Sequence, residues 1–577
     1  MHISNYRRRV KAVFLICFGF LFLCISRLFY IQLFHSNYLT GIAKKQHNLF
    51  VELEPRRGSI YDVNLKPQAV NMSVDSLYVI PNEIKDKDKD AIIAQLGPIL
   101  NLSSAYLRDR LYRKKSFIWI ARKIDPQQSE AIKKLDIKGL DFLKESKRCY
   151  PNSYLASQII GFAGLDNYGL EGLELYYDKY LKGEPGWALF LRDARQKKLD
   201  IWEKMVLPKD GYDLVLTIDE VIQYIAEREL DKAFKAYHAK AASIVVMDPH
   251  TGSILALANR PTFDPNDYTT VTKDRVRNRA ICDLFEPGSV FKIVTASAAL
   301  EENRVTETDK FFCENGSYRV ASHVLHDHRP HGLLTFSEVI EQSSNIGTTK
   351  IAQMLGGEVV YRYARLFGFG SKTGVNLPGE ISGMLKEPRF WSKLSIGAIP
   401  IGQEVGVNVL QLANAISVIA NGGQLMKPYI VKEIKDKYGE TIKSFSPEMM
   451  HKVISLDTVD RMKKILVAVV ENGTGKMARI PGFSAAGKTG TAQKLEANGT
   501  YSHNKFIATF IGFAPAEDPA IAIAVMVDSP HPAYFGGVVA APVFKNVASD
   551  TLKYLKVNSS SSRTVNYNET QKINPGD

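Results

Sequence analysis

The sequence predicts an α/β (α+β) protein. The chain is predicted to begin with an N-terminal membrane helix, followed by an elongated mixed α/β pedestal. After the pedestal comes an antiparallel sheet that is flanked by helices and accompanied by a helical subdomain. The chain opens on a long apolar run at 12–34. Two β-type runs surround a D-P-H-T-G turn at 241–259, and strand-like runs return at 506–528. Because helical sequence fills the interval, we expect one sheet closed by segments that are far apart in the chain.

The N-terminal segment predicts a signal anchor. A basic cluster at 7–11 precedes the uncharged residues 12–26, and Arg27 lies near the far end, where a long side chain can reach the membrane interface. At about 1.5 Å per residue, 12–34 extend roughly 34 Å, enough to cross a bilayer. The alternative is a cleavable signal peptide, but no small-x-small cleavage site follows Arg27. We expect a cytoplasmic tail at 1–11, a transmembrane anchor at 12–34 and an extracytoplasmic remainder.

Composition limits the classes of protein that fit. The 577 residues are 45% hydrophobic and 23% charged, which is typical of a globular chain. The formal net charge of +13 suits a surface that faces anionic lipid and cell wall. No basic stripe interleaved with aromatic residues stands out, so we expect no nucleic acid partner.

Five cysteines do not indicate a disulfide framework. Cys17 and Cys24 lie in the apolar run, and Cys149, Cys282 and Cys313 form an odd set without C-x-x-C spacing. We expect no redox centre and no cofactor, and the sequence leaves open whether Cys282 and Cys313 ever pair.

The rest of the chain divides into a pedestal, a catalytic domain and a tail. Residues 35–235 alternate short strand-like and helix-like segments, which favours a pedestal or dimerisation-type domain. Within it, KDKDKD at 85–90 is predicted to be a solvated turn, and GLEGLELYYDKYLKG at 169–183 a single helix. Residues 236–556 are predicted to form the catalytic domain, and the low-complexity residues 557–577 a disordered tail.

The stretch GFSAAGKTGTAQK at 482–494 fits two different sites. Its first eight residues match a phosphate-binding loop, G-x-x-x-x-G-K-[ST]. That loop needs a helix starting at its Lys-Thr, yet Gly490, a poor helix former, follows directly. We therefore assign the Lys488 cation and the Thr489 and Thr491 hydroxyl groups to a substrate carboxylate, with Gly490 in the same substrate-binding stretch.

A serine and a lysine three residues apart supply a reactive pair. EPGSVFK at 286–292 places Ser289 behind a Pro-Gly turn, at the start of apolar helical sequence. This spacing puts Ser289 and Lys292 on one helical face. A desolvated, neutral lysine amine can take the proton from a serine hydroxyl and so make it nucleophilic without a histidine. The same S-x-x-K spacing recurs at Ser502 and Lys505, but in a polar turn with no helix behind it.

SSN at 343–345 adds two polar side chains to this set. Ser343 can relay a proton, and Asn345 can bind a substrate amide or orient the lysine. A second K-T-G copy begins at Lys372, between glycine and Pro-Gly punctuation and with no strand to hold it, so the copy at Lys488 is favoured. We expect neither lysine in the core.

Four histidines could be read as a metal site: His323, His326, His328 and His331. They fall in a Gly/Pro-containing loop, with no second cluster to complete a closed set of ligands. We expect loop histidines near the cleft and no metal.

The order S-x-x-K, S-x-N, K-T-G resembles that of the class B penicillin-binding proteins, membrane-anchored D,D-transpeptidases of peptidoglycan synthesis. The resemblance covers residues from about 25 to 556 and includes RRGSIYD, GLEGLE, MDPHTGSILALANRPTFDPN, ANGG and GFAPAEDP. It looks most like the division-specific, FtsI-type branch, with the elongation-specific branch as the alternative. Glu404 and Asn408 depart from it, since relatives more often show glycine and threonine or serine there.

The resemblance implies the penicillin-binding transpeptidase fold and a mechanism. Ser289 would attack the carbonyl between the two terminal D-alanines of a stem peptide, with Lys292 as general base. The backbone N–H groups of Ser289 and Thr491 would form the oxyanion hole. Ser343 would help to protonate the leaving D-alanine, and Asn345 would hold the donor peptide. An amine of a neighbouring stem would then attack the acyl-enzyme and form the cross-link.

The resemblance also implies partners and leaves alternatives. Expected partners are peptidoglycan stem peptides, lipid-linked precursor strands, β-lactams as covalent inhibitors, a membrane glycosyltransferase and other division proteins, at the bacterial cytoplasmic membrane. One alternative is a penicillin-hydrolysing relative, for which no deacylating base can be identified. Another is a non-catalytic β-lactam sensor or cell-wall scaffold, against which the intact motif residues argue. The stem-peptide chemistry and the oligomeric state stay open.

Overall fold

The structure is a computed structural model. It describes residues 2–39, 48–115, 117–192, 198–496 and 500–559. The helices of eight or more residues are His2–Phe34, Asp86–Leu100, Ser104–Leu111, Pro126–Lys133, Glu220–Ala236, Lys292–Glu301, Asn345–Leu355, Gly357–Leu366, Val409–Ala420, Leu456–Glu471 and Ala541–Tyr554. Shorter helices are Ser157–Ile160, Gly172–Tyr176, Asp178–Leu181, Lys273–Val276, Arg279–Cys282, Phe336–Glu341, Ser395–Ala398 and Gly536–Val539. Of the predicted tail at 557–577, residues 560–577 lie outside the described residues.

The strands are numbered in chain order. In the first half of the chain they are β1 (Asn48–Leu53), β2 (Ile60–Tyr61), β3 (Pro67–Val79), β4 (Ile118–Ala121), β5 (Leu140–Cys149), β6 (Gly186–Arg192), β7 (Lys198–Val206), β8 (Asp213–Leu216), β9 (Ala241–Met247) and β10 (Ile254–Arg260). Then follow β11 (Lys310–Phe312), β12 (Ser317–Val320), β13 (His323–His326), β14 (Leu333–Thr335), β15 (Met384–Leu385), β16 (Val405–Gly406), β17 (Gln424–Met426), β18 (Val431–Lys435), β19 (Thr441–Ser444), β20 (Met449–Lys452), β21 (Ala486–Leu495), β22 (Tyr501–Ala514) and β23 (Ile521–Asp528).

The chain divides into two compact units, residues 1–56 with 183–210 and residues 57–182 with 211–577. The first unit holds an antiparallel sheet in the order β1–β6–β7 and the N-terminal helix. The segment Asn5–Phe34 of that helix is long and apolar enough to cross a membrane. The domain boundaries drawn from composition remain predictions.

A buried ion-pair network in the second unit holds Arg57 of the RRGSIYD segment. The Arg57 side chain is 1% exposed, and its guanidinium donates to Glu174 and to Asp178, each at 2.7 Å. The Arg148 guanidinium donates to the other carboxylate oxygen of Glu174 at 2.6 Å. Buried charges are stable only when paired, so the GLEGLE segment that carries Glu174 is tied to RRGSIYD by charge as well as by packing.

Two predictions for the pedestal segment are wrong. KDKDKD begins the helix Asp86–Leu100 instead of a solvated turn; acidic residues in the first turn favour that helix end, and Lys89 is buried against Asp86 at 2.7 Å. The segment 169–183 forms two short helices, because the backbone leaves helical geometry at Tyr177 (φ −104°, ψ 18°).

The five-stranded antiparallel sheet of the second unit has the order β10–β9–β23–β22–β21. The prediction that segments distant in sequence close one sheet is confirmed. Successive β9 residues face opposite layers: Ile244 and Val246 pack with the helices Glu220–Ala236 and Ala541–Tyr554, whereas Val245 packs in the larger core on the other face. The strand β21 is an edge strand of this sheet, and an edge strand has unpaired N–H groups at alternate residues.

Candidate active site

Ser289 lies in a tight helical turn beside the edge strand β21. The turn Gly288–Phe291 continues directly into the helix Lys292–Glu301, which is buried from Lys292 to Leu300. Gly288 has φ +58°, in the left-handed region that favours glycine, and a Cβ there would lie 3.1 Å from the Thr491 carbonyl oxygen. The glycine of the Pro-Gly turn therefore allows the serine to approach the K-T-G strand closely.

Lys292 is wholly buried, and its ammonium group contacts the SSN segment. Its Nζ donates to the Ser343 carbonyl at 2.6 Å, to Asn345 Oδ1 at 2.8 Å and to Ser343 Oγ at 3.2 Å. Burial lowers the pKa of Lys292 from its ordinary value of 10.5 to about 7, against the opposing influence of Asp327 and Cys313. An amine with this pKa exists largely in the neutral form just above pH 7, as a general base requires. Within the described residues, no hydrogen bond joins Lys292 to Ser289.

Ser343 joins the two motif lysines. It has φ +60°, unusual for a residue with a side chain. Its Oγ accepts a hydrogen bond from Lys292 Nζ at 3.2 Å and from Lys488 Nζ at 2.9 Å. Burial lowers the pKa of Lys488 well below its usual range, and the charge of Lys292 lowers it further. The chain Lys292–Ser343–Lys488 is therefore a continuous route for a proton.

The Asn345 amide is fixed at both ends. Its Nδ2 donates to the His326 carbonyl at 2.9 Å, which directs its Oδ1 towards Lys292. Of the two roles that the sequence suggested, this arrangement supplies the geometry for orienting the lysine, and it leaves one amide hydrogen for another acceptor.

The K-T-G stretch lies on β21, with Lys488 at 0% exposure, so the expectation that Lys488 lies outside the core is wrong. Thr489 Oγ1 lies 2.7 Å from the hydroxyl of Thr474, and Thr491 Oγ1 accepts a hydrogen bond from the Gly536 N–H at 3.0 Å. A Cβ at Gly490 would overlap the Thr509 hydroxyl, so only glycine fits. The strand conformation also excludes a phosphate-binding loop, whose lysine must start a helix.

In the second K-T-G copy, at Lys372, and the second S-x-x-K copy, at Ser502, polar groups of the motif are bonded to nearby side chains of the protein. At the second K-T-G, the Thr373 N–H and hydroxyl both donate to Glu380 at 2.6 Å, which occupies the groups that a substrate carboxylate would need. Lys372 is exposed. Ser502 bonds Asn504 at 2.9 Å, within β22.

Sequence reasoning missed two polar residues of the site. Asp327, in the loop after β13, accepts a hydrogen bond from the Asn345 N–H at 2.5 Å, and Thr474 contacts Thr489 as described. Neither belongs to a motif with a fixed spacing from Ser289. The signals that the sequence offers are the position of Asp327 between His326 and His328 and that of Thr474 in the turn-rich stretch ENGTGK at 471–476.

The prediction of four loop histidines is wrong for His323 and His326, which form the two ends of the strand β13, whereas His328 and His331 lie in the loop that follows, beside this site. His328 packs on Phe535 with ring centroids 4.8 Å apart, and Phe535 directly precedes Gly536, which bonds Thr491. Tyr534 and Phe506 extend the row of rings, with centroids 4.1 Å apart. In the part of the chain that the structure describes, no three His, Cys, Asp or Glu side chains are grouped so as to hold a metal ion.

Comparison with known proteins gives two family matches. Residues 242–549 match the penicillin binding protein transpeptidase domain, and residues 52–216 match the penicillin-binding protein dimerisation domain.

Individual proteins are similar over nearly the whole chain. The chain is 40% identical to stage V sporulation protein D of Bacillus subtilis, over 96% of this chain and 88% of that protein. It is 32% identical to peptidoglycan D,D-transpeptidase FtsI of Escherichia coli, over 90% of this chain and 87% of that protein. Its fold is similar to the crystal structure of penicillin binding protein 3 from Mycobacterium tuberculosis complexed with aztreonam, with a TM-score of 0.69, 28% identity and coverage of 88% and 98%.

Proposed function

The chain belongs to the penicillin-binding protein transpeptidase family and is a peptidoglycan D,D-transpeptidase, and we propose that it cross-links stem peptides in septal cell-wall synthesis through an acyl-enzyme on Ser289. The observation that carries the site assignment is the fully buried Lys292, with its pKa lowered to about 7 and its Nζ held by Ser343 and Asn345. A lysine in this state is suited to accept the serine proton near neutral pH.

Acylation would begin with attack of Ser289 Oγ on the carbonyl carbon between the two D-alanines, while the serine proton passes to Lys292 Nζ. The N–H groups of Ser289 and Thr491 would hold the oxyanion, since β21 is an edge strand whose alternate N–H groups are free to face the serine. Collapse breaks the C–N bond, and the leaving D-alanine amine takes its proton through Ser343.

The carboxylate of the terminal D-alanine would bind at the K-T-G strand. Lys488 supplies a positive charge when protonated, and the hydroxyl groups of Thr489 and Thr491 supply donors, with Thr474 behind Thr489 at 2.7 Å. In the second half-reaction an amine of a neighbouring stem attacks the ester carbonyl. The amine's proton returns through Lys292 to Ser289 Oγ as the ester breaks.

The test is covalent labelling of the detergent-solubilised full chain with a fluorescent penicillin. The strained lactam resembles the D-Ala-D-Ala amide, so peptide mapping should find the label on Ser289, and Ser289→Ala should abolish it. The matched control is Ser502→Ala, which removes the serine of the rival S-x-x-K and should be labelled at the wild-type rate. Label at Ser502, or no label on a chain that still melts cooperatively, would refute the assignment.

The septal role is supported by the similarity to FtsI of Escherichia coli. A second candidate, cross-linking during sporulation, is favoured by the 40% identity to stage V sporulation protein D. Depletion in growing cells tests both. Filaments support septal synthesis, round cells indicate lateral synthesis, and normal growth with failed spores indicates the second candidate.

The anchor and partners follow from the same proposal. The helical segment Asn5–Phe34 would cross the cytoplasmic membrane once, with its basic end inside and the catalytic domain outside. A membrane glycosyltransferase would supply the uncross-linked strands, with lipid-linked precursors as their source and β-lactams as covalent inhibitors of the serine.

A further inference from the structure

The loop between β13 and β14 carries a carboxylate, Asp327, that the mechanism above does not use. Its Oδ1 accepts hydrogen bonds from the N–H groups of Asn345 at 2.5 Å and Ile346 at 3.1 Å. Its Oδ2 accepts from the Ser344 hydroxyl at 2.7 Å. One side chain from a separate loop therefore holds three donors of the segment that contains the SSN motif.

These bonds complete the N-terminal cap of the helix Asn345–Leu355. Ser344 is the capping residue, and its Oγ accepts from the Gly347 N–H at 2.9 Å while donating to Asp327. Ser343 directly precedes this cap in the left-handed conformation, which persists only where the surroundings hold it. The cap therefore fixes the turn that places Ser343 Oγ between Lys292 and Lys488.

Asp327 also sets the electrostatic environment of Lys292. Titratable groups that face Lys292 or flank Asp327 are Lys488 on β21, Cys313 after β11, His326 at the end of β13 and His328 on the loop itself. The Asp327 carboxylate favours the protonated form of Lys292 and so opposes the lowering of the lysine's pKa by burial. The described contacts of Lys292 go to neutral acceptors, so the charge of Asp327 acts from behind Asn345 and not through a direct ion pair.

We propose that Asp327 is a positioning residue for acylation, which holds the Ser343–Asn345 turn and supplies the negative charge that faces Lys292. The inference rests on the proposed role of Lys292 as general base. Its two parts are separable, because Asp327→Asn removes the charge while keeping an acceptor for the backbone N–H groups, whereas Ser344→Ala removes part of the cap and keeps the charge.

The experiment measures the second-order rate constant of acylation by a fluorescent penicillin from about pH 5 to about pH 9 on the full chain in detergent. For the wild type the rate should rise through a limb near pH 7, where Lys292 loses its proton. Removing a nearby opposite charge favours the neutral amine, so in Asp327→Asn the limb should move to lower pH by about one unit. The plateau should also fall, by about tenfold, because the amine becomes a weaker base. Ser344→Ala should lower the plateau and leave the limb where it is.

Asp219→Asn is the matched control. Asp219 is also a buried helix cap, accepting from Val221 and Ile222 at 2.9 and 3.2 Å, and the variant should lower the melting temperature without moving the limb. The proposal is overturned if folded Asp327→Asn has the rise of its acylation rate at the same pH as the wild type. It is also overturned if Ser344→Ala moves that rise as far as Asp327→Asn does.

If Asp327→Asn does not fold, Asp327→Glu decides the question, because it keeps the charge and alters the cap: the limb should stay, and a shifted limb overturns the proposal. A wild-type chain without label on Ser289 would refute the proposed function itself, independently of Asp327.

Discussion

Substituting the two K-T-G lysines separately tests which copy forms the site. Lys488 is fully buried, with Nζ donating to Ser343 Oγ at 2.9 Å and to its neighbour's carbonyl at 3.2 Å. Lys372 is exposed, and the groups beside it are bonded to Glu380. We expect Lys488→Ala to slow acylation by penicillin far more than Lys372→Ala.

The magnitude follows from the bond that is lost. A charge-assisted hydrogen bond to a carboxylate is worth about 1.5–3 kcal/mol, which corresponds to a roughly ten- to hundredfold slower acylation. Lys372→Ala should stay within about twofold of wild type, as expected for an exposed side chain away from the chemistry. The assay is the rate of penicillin acylation on the full chain at one pH, with melting temperatures measured in parallel.

Burial of Lys488 adds a control that the sequence alone did not suggest. Alanine leaves a cavity where three methylene groups and the ammonium group lay, whereas methionine fills most of that volume without a charge. Lys488→Met should therefore melt above Lys488→Ala while acylating as slowly. Recovery of acylation in Lys488→Met would show that the charge of Lys488 is not what the reaction needs. A larger loss in folded Lys372→Ala would show that the active site does not lie on residues 487–494.

Two further predictions concern stability. The pKa of Lys292 is about 7 in the folded chain and near 10.5 in the unfolded chain, so the unfolded chain binds more protons between these two pH values. The free energy of unfolding should therefore rise with pH across that window. Lys292→Met should flatten this rise, which denaturant titrations at several pH values would measure. Glu174→Gln leaves Arg148 without its carboxylate partner and Arg57 with Asp178 as its remaining one, and it should lower the free energy of unfolding by about 3–5 kcal/mol. The ion pair of Glu184 is exposed, so Glu184→Gln should lower the free energy of unfolding by at most about 1 kcal/mol. Equal losses for Glu174→Gln and Glu184→Gln would refute the importance of the buried network.

The sequence was a sound guide wherever the decisive signal was local. Period-two apolar runs at 241–259 and 506–528 predicted the strands of the five-stranded sheet, and the three-residue spacing of Ser289 and Lys292 needed only helix geometry. The pedestal errors had local causes as well. At 85–90 the charges suggested solvent, although acidic residues ahead of an apolar run are also typical of a helix start.

What the sequence could not predict depends on contacts between distant segments. The partners of Lys292 lie about fifty residues along the chain, and the side-chain partner of Lys488, Ser343, lies about 145 residues away, so neither the burial nor the pKa of either lysine has a local signal. The role of Asp327 could not be predicted from the sequence, because it depends on the fold, which brings a loop against the cap of the helix Asn345–Leu355.

The position of Asp327 also explains how a buried lysine can serve as a base at all. A carboxylate bonded directly to Lys292 would favour the charged form and raise the pKa, so the amine could not accept a proton near neutral pH. With no negative charge nearby, burial would lower the pKa further and leave a weak base. Neutral acceptors on Ser343 and Asn345 touch the amine, and the carboxylate lies behind them, bonded to the Asn345 N–H. An intermediate pKa follows from this order of contacts, and the order depends on the loop between β13 and β14 being held against the helix.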